Sequence, residues 1–177
     1  RLDTNELRPL GRTARGVKSM NLREGDNLVS MDVLPSDLVD QLAKIEELGE
    51  EVENVEENSS NGPWVLIASS FGLGKRVPVT QFRLQKRAGM GLRAIKFRIK
   101  DDVLVCLKVL GEGEELLFVT EKGVIVRTNA DKISQQSRAA TGVKLQRLDE
   151  GDHLSEVVLV PHEQIEEIDQ FDSDNEN

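Results

Sequence analysis

Three copies of one short turn motif constrain this chain more than any other feature. An Arg stands four residues before a Gly, and an Asp-marked turn follows ten residues after that Gly: Arg12, Gly16 and Asp26; Arg87, Gly91 and Asp101; Arg138, Gly142 and Asp152. In full the segments read Gly11-Arg-Thr-Ala-Arg-Gly-Val17, Lys86-Arg-Ala-Gly-Met-Gly-Leu92 and Ser137-Arg-Ala-Ala-Thr-Gly-Val143. Repetition of this kind builds an array of like units that bury surface against their neighbours.

The repeat is larger than the turn. Copies two and three are offset by 51 residues (138 − 87), and the same offset carries Leu66-Ile67 onto Leu117-Phe118, Gly72 onto Gly123 and Arg76 onto Arg127. Copies one and two are offset by 75 (87 − 12), which carries Arg1 onto Arg76 and Leu7-Arg8 onto Phe82-Arg83. The 24 extra residues (75 − 51) fall in the acidic stretch between Asp40 and Gly62. The chain therefore divides into an incomplete first blade (1–34), which lacks its opening strand, an acidic insertion (35–62), a second blade (63–111), a third (112–160) and an acidic tail (161–177).

Within the second unit, Trp64–Ser70 is a β-rich run ending at the Phe71-Gly72 turn. Lys75–Val79 reads as a short strand in which Pro78 opposes a central place in a sheet. Leu92–Arg98 alternates imperfectly, and Val103–Leu110 follows the Asp101-Asp102 turn. The third unit repeats the series with Leu116–Thr120, Val124–Thr128, Val143–Leu148 and Leu154–Val160. Four short strands per unit of this size predict an all-β, propeller-like array of about three four-stranded blades. In the insertion, Ser36 caps a predicted helix over Asp37–Leu48, with Leu38, Leu42, Ile45 and Leu48 at helical spacing and Gly49 as a stop. Glu50–Ser60 reads as a flexible acidic linker, and the tail after Val160 as disordered.

Charge is distributed as unevenly as structure. The net charge is −9, but residues 40–61 carry −7 and residues 149–177 carry −11, which leaves +9 for the repeat units. Residues 81–100 hold seven cations and no acid. A basic array with acidic appendages points to a polyanionic partner, with a merely solvated basic face as the alternative. The repeated Gly suits a turn of positive φ or a close backbone approach. The Arg beside it reads either as a carbonyl cap or ion-pair partner, or as an outward ligand contact.

Little catalytic chemistry is available. There is no Tyr to act as a nucleophile, and His153 and His162 have no Cys partners at metal-ligand spacing. Gly72-Leu-Gly-Lys75 lacks the spacing and the following Ser or Thr of a phosphate loop. The lone Cys106, in an apolar run, reads as a buried small hydrophobe and fits a reducing compartment. Trp64 reads as a packing residue. No run of 18 apolar residues is present to cross a membrane, and no signal or transit segment is visible at Arg1.

The pattern Gly72-Leu-Gly-Lys-Arg76, Phe82-Arg83, Arg87–Gly91 and Asp101-Asp102 closely resembles a blade of the C-terminal domain of the DNA gyrase A subunit, of the type IIA topoisomerase family. The first unit gives Leu7-Arg8, Gly11–Val17 and Gly25-Asp26; the third gives Lys122-Gly123, Arg127, Arg138–Gly142 and Gly151-Asp152. The resemblance spans residues 1–34 and 63–160, and the family's gyrase box has a degenerate counterpart at Gln85–Gly91. It implies a partial β-pinwheel, the last half of a domain of about six blades, with an acidic insertion outside the core pattern. It further implies a DNA-binding and DNA-wrapping role in ATP-dependent negative supercoiling. The implied DNA contacts are Arg12, Arg15, Lys18, Lys75, Arg76, Arg83, Lys86, Arg87, Arg93, Arg127, Arg138 and Lys144. The implied partners are double-stranded DNA, a gyrase B subunit, and a second A subunit. Catalysis, with Mg2+ and ATP, belongs to the parent complex, and no cofactor or metal to this segment. A plastid or mitochondrion is the implied location, with a bacterial cytoplasm as alternative. The competing functional readings are a topoisomerase IV-type domain and a protein-interaction scaffold without nucleic acid. The acidic tail is expected either to compete with DNA for the basic rim or to serve solubility.

Overall fold

A computed structural model describes residues 1–51 and 62–160. The expected linker beyond Glu51 and the tail after Val160 lie outside the described residues. Among the described residues there is one α-helix, α1 (Ser36–Glu51), which contains the predicted Asp37–Leu48 helix and runs through Gly49, the expected stop. The strands are β1 (Trp64–Ser69), β2 (Leu73–Pro78), β3 (Leu104–Leu110), β4 (Glu115–Thr120), β5 (Ile125–Asn129), β6 (Val143–Lys144) and β7 (Leu154–Val160). They form two antiparallel sheets, ordered β3-β1-β2-β6 and β5-β4-β7.

The fourth strand of the second unit's sheet comes from the third unit. Val143 pairs with Gly74 and Lys144 with Leu73. The expected strand Val143–Leu148 is therefore cut to two residues and leaves its own unit to complete the sheet of the unit before it. The expected strand Leu92–Arg98 does not form. Residues 92–98 belong to neither sheet among the described residues. Against the expectation drawn from Pro78, β2 is an interior strand between β1 and β6; Pro78 sits at its end, opposite Trp64 and past the reach of β6, where its missing N–H costs no ladder bond.

Alternation explains the continuous apolar run of β1. Trp64, Leu66 and Ala68 pack with Leu116, Phe118, Leu154 and Val157 of the third unit. Val65 and Ile67, on the opposite face, join Val77, Val79, Ile95 and Leu42 of α1. A strand covered on both faces needs no polar positions. Cys106 is buried in the first cluster, and burial raises its thiol to about 11.

Candidate nucleic-acid interface

Backbone hydrogen bonds recur at the offsets read from the sequence. Three short 3-10 turns, Thr4–Glu6, Val79–Gln81 and Ala130–Lys132, are closed by the N–H of Leu7, Phe82 and Ile133 donating to the carbonyls of Thr4, Val79 and Ala130. The Gln85 N–H donates to Arg1 O, and the Gln136 N–H to Arg76 O, both at 2.9 Å. The units thus join their neighbours in the same way twice.

The Arg turns line up into one edge. The Asn21 N–H donates to Gly89 O at 2.9 Å, and, one unit on, the Lys96 N–H donates to Ala140 O at 3.3 Å. Each turn therefore lies against the segment that follows the Gly of the preceding turn. Gly16, Gly91 and Gly142 have φ of +79°, +76° and +100°, the left-handed geometry that favours Gly. Along this edge Arg12, Arg15, Lys18, Arg83, Lys86, Arg93 and Lys144 are exposed, with Arg87 and Arg138 half-buried. Lys96, Arg98, Lys100 and Arg147 are exposed as well, although only the charge run of residues 81–100 pointed to the first three.

Some of these cations have duties inside the protein. Arg138 donates from its guanidinium to Arg93 O at 2.7 Å, so this copy of the repeated Arg caps a carbonyl of the neighbouring unit. Lys18 donates to Asn21 Oδ1 at 2.9 Å. Arg127 pairs with Glu115 at 2.9 Å on the adjacent strand and stays exposed on β5.

Two expected DNA contacts are corrected. Lys75 is 0% exposed, and its Nζ donates to the carbonyls of Ser137, Arg138 and Ala140 at 2.7–2.8 Å. Arg76 is 9% exposed and donates to Ile133 O, Asp131 O and the Asp131 carboxylate, with its guanidinium 4.7 Å from the centre of the Trp64 ring. Neighbours on a strand face opposite ways, so the pair grips the third unit at two places. Their setting between apolar Val77 and Leu73 was the available sequence sign of burial; the family pattern had placed them with the exposed cations.

The Asp turn is corrected too. The buried carboxylates are Asp102 and Asp152. Asp102 accepts from Ser70 Oγ and the Phe71 N–H; Asp152 accepts from the N–H groups of Lys122 and His153. Asp101, with φ of +66°, stands where Gly151 stands, at +67°. The spacing from Gly91 is therefore eleven residues, not ten, and one extra residue lies in the second unit.

Antiparallel sheets of successive units, one completed by a strand of the next unit, joined into an array with a basic edge, define a propeller-like class of repeat protein. Within that class the chain belongs to a known family: residues 1–35, 63–106 and 114–161 match the model of the DNA gyrase C-terminal domain, beta-propeller. It is 49% identical over 182 residues to the DNA gyrase A subunit of Synechocystis sp., covering 99% of this chain and 21% of that protein. It is 37% identical over 163 residues to the DNA gyrase A subunit of Staphylococcus epidermidis, covering 92% of this chain and 16% of that one. A solved DNA gyrase A C-terminal domain superposes with a TM-score of 0.70 at 25% identity, over 90% of this chain and 46% of that chain. A topoisomerase IV C-terminal domain shares the fold, with a TM-score of 0.51 at 23% identity, over 60% and 32%. The chain spans about a fifth of the Synechocystis relative.

Proposed function

We propose that this chain is a DNA-binding and DNA-wrapping part of the A subunit of a gyrase, a type IIA topoisomerase. The observation that carries the reading is the continuous edge of Arg turns, in which the same cation-bearing turn recurs in three units and adjacent units are hydrogen-bonded along it. Distributed Arg and Lys contacts to phosphate bind a duplex without reading its bases. Curving the duplex along such an edge costs a few kcal/mol, which several contacts offset.

In this reading the chain binds and bends DNA, while strand cleavage and ATP hydrolysis reside in other parts of the complex. Its protein partners there are a gyrase B subunit, together with a second A subunit. Among the described residues no group of three or more His, Cys, Asp or Glu side chains is placed to hold a metal ion. None of the described helices is long and apolar enough to cross a membrane. Of the two locations the resemblance implies, we favour a plastid or mitochondrion over a bacterial cytoplasm.

Binding to linear duplexes of about 40 and 140 base pairs across a salt series tests the reading, because wrapping is length-dependent and phosphate binding is salt-dependent. Tight binding to the longer duplex that falls steeply with salt is the expected result. Binding that is absent, or indifferent to salt, sinks the reading and favours a protein-interaction array.

A further inference from the structure

We propose that Lys75 is a positioning residue for the basic edge: seated on three carbonyls of the third unit's Arg turn, it fixes where that turn and its cations meet a duplex. The inference rests on the DNA-binding reading above.

The geometry is specific. An ammonium has three protons, and here the carbonyls of Ser137, Arg138 and Ala140 take all three, at 2.8, 2.8 and 2.7 Å. These residues are stations of the turn itself. The side chain is fully buried, so no phosphate reaches it. Burial and then the charge of Arg138 disfavour its protonated form, bringing it down to about 8. A buried ammonium is a poor choice for stability alone. Its position between the two units suits a different task, holding a tight turn rigid on the neighbouring sheet.

The same turn is held from two further directions. Arg138 donates its backbone N–H to Gln81 Oε1 at 2.8 Å, and Gly142 donates to Gln136 Oε1 at 3.1 Å. β6, two residues long, continues directly from Gly142 and carries exposed Lys144. A shift of the turn therefore displaces Lys144 and the Arg138–Arg93 bond together. The third unit has Val126 at the position equivalent to Lys75, so the second-to-third junction is the one that carries the device among the described residues.

The test uses the full chain, with Lys75→Met, Lys75→Gln, a Lys144→Gln/Arg147→Gln background, and the combination of Lys75→Met with that background. The Gln variant keeps two donors and stands in if the Met variant does not fold. Two measurements are made: affinity for a duplex of about 140 base pairs, and hydrogen exchange of individual amides. Expected are a loss of affinity of about fivefold or more for Lys75→Met, partial rescue in Lys75→Gln, and faster exchange confined to the Ala140 and Gly142 region. In the background that lacks Lys144 and Arg147, Lys75→Met is expected to have little further effect, as coupled sites do. Unchanged affinity, a full and independent effect in that background, or accelerated exchange spread through β1 and β3 overturns the proposal. A wild-type chain that binds no DNA defeats the functional reading instead, and the exchange data alone then decide whether Lys75 holds the turn.

Discussion

Gly142 lies so close to the backbone of Gly74 that a β-carbon on Gly142 would come within 2.6 Å of the Gly74 carbonyl oxygen. The approach is where β6 of the third unit meets β2 of the second. Two side-chain-free residues let one unit's strand enter its neighbour's sheet. Gly142→Ala meets both a φ of +100° and a backbone atom that cannot swing aside. It is expected to cost at least about 2 kcal/mol. Denaturant unfolding followed by Trp64 fluorescence measures this, and a loss below about 0.5 kcal/mol contradicts the strand-exchange account.

Arg76 is the other side of that junction. It bridges β2 to Asp131 and Ile133 and covers Trp64, whose Nε1 donates to Gln135 at 2.7 Å. Arg76→Met leaves acceptors without donors and is expected to cost about 3 kcal/mol. It is also expected to alter Trp64 emission while leaving the salt dependence of DNA binding as it was. A shallower salt slope would place Arg76 among the phosphate-binding cations after all.

The exposed cations are expected to behave in the opposite way. Replacing Arg83, Lys86 and Arg93 with Glu leaves the buried core untouched, because all three side chains are exposed. It is expected to make the slope of log affinity against log salt shallower by about 2 to 3, near 0.9 for each phosphate that is no longer neutralised. Fluorescence anisotropy at four or more salt concentrations gives the slope, and an unchanged one removes these residues from the interface.

Two groups predict how stability changes with pH. Burial raises the Asp152 carboxyl, but hydrogen bonds from the Thr120 hydroxyl and the Lys122 and His153 N–H groups, with the Lys122 charge, outweigh it and hold the group below 3.8. The folded state thus prefers the carboxylate, and the stability it contributes above 3.8 is lost as pH falls through the lowered value. Lys75 runs the other way. Between about 8 and 10.5 the unfolded chain holds a proton that folded Lys75 has released, so stability rises with pH across that window. Thermal melts from about pH 3 to about pH 10.5 are expected to show both trends, with Asp152→Asn flattening the acid limb and Lys75→Met the alkaline one.

Helix α1 anchors the insertion through Leu42, which is 5% exposed against Val65, Ile67 and Val79. Its Glu46 pairs with Arg1 at 3.1 Å, doing for Arg1 what Asp131 does for Arg76 at the next junction. Leu42→Ala is expected to cost about 2–4 kcal/mol by leaving a cavity, as read from chemical unfolding. A change within error would detach the helix from the core.

Much of this was legible because turns are local. A Gly at φ near +79° announces itself wherever it recurs, and the offsets of 51 and 75 reappear as repeated backbone hydrogen bonds. Val143–Leu148 misled because a strand extends only as far as an edge receives it, and the receiving edge, β2 of another unit, pairs with two residues of it. Asp101 misled because counting residues cannot see one inserted residue, whereas hydrogen bonds to Ser70 and Phe71 identify Asp102.

The repeat, the apolar β runs, the helix of the insertion and the concentration of cations at one recurring turn are all readable along the chain, since each depends on residues close together in it. Which unit completes which sheet, and which cations face outward, depends on contacts between distant segments. Lys75 and Arg76 carry the same charges as Lys86 and Arg87, yet three carbonyls hold Lys75 inside, while a carboxylate, two carbonyls and an indole ring hold Arg76. Those partners lie 55 to 65 residues along the chain for all but the ring, and only folding brings them within hydrogen-bonding distance.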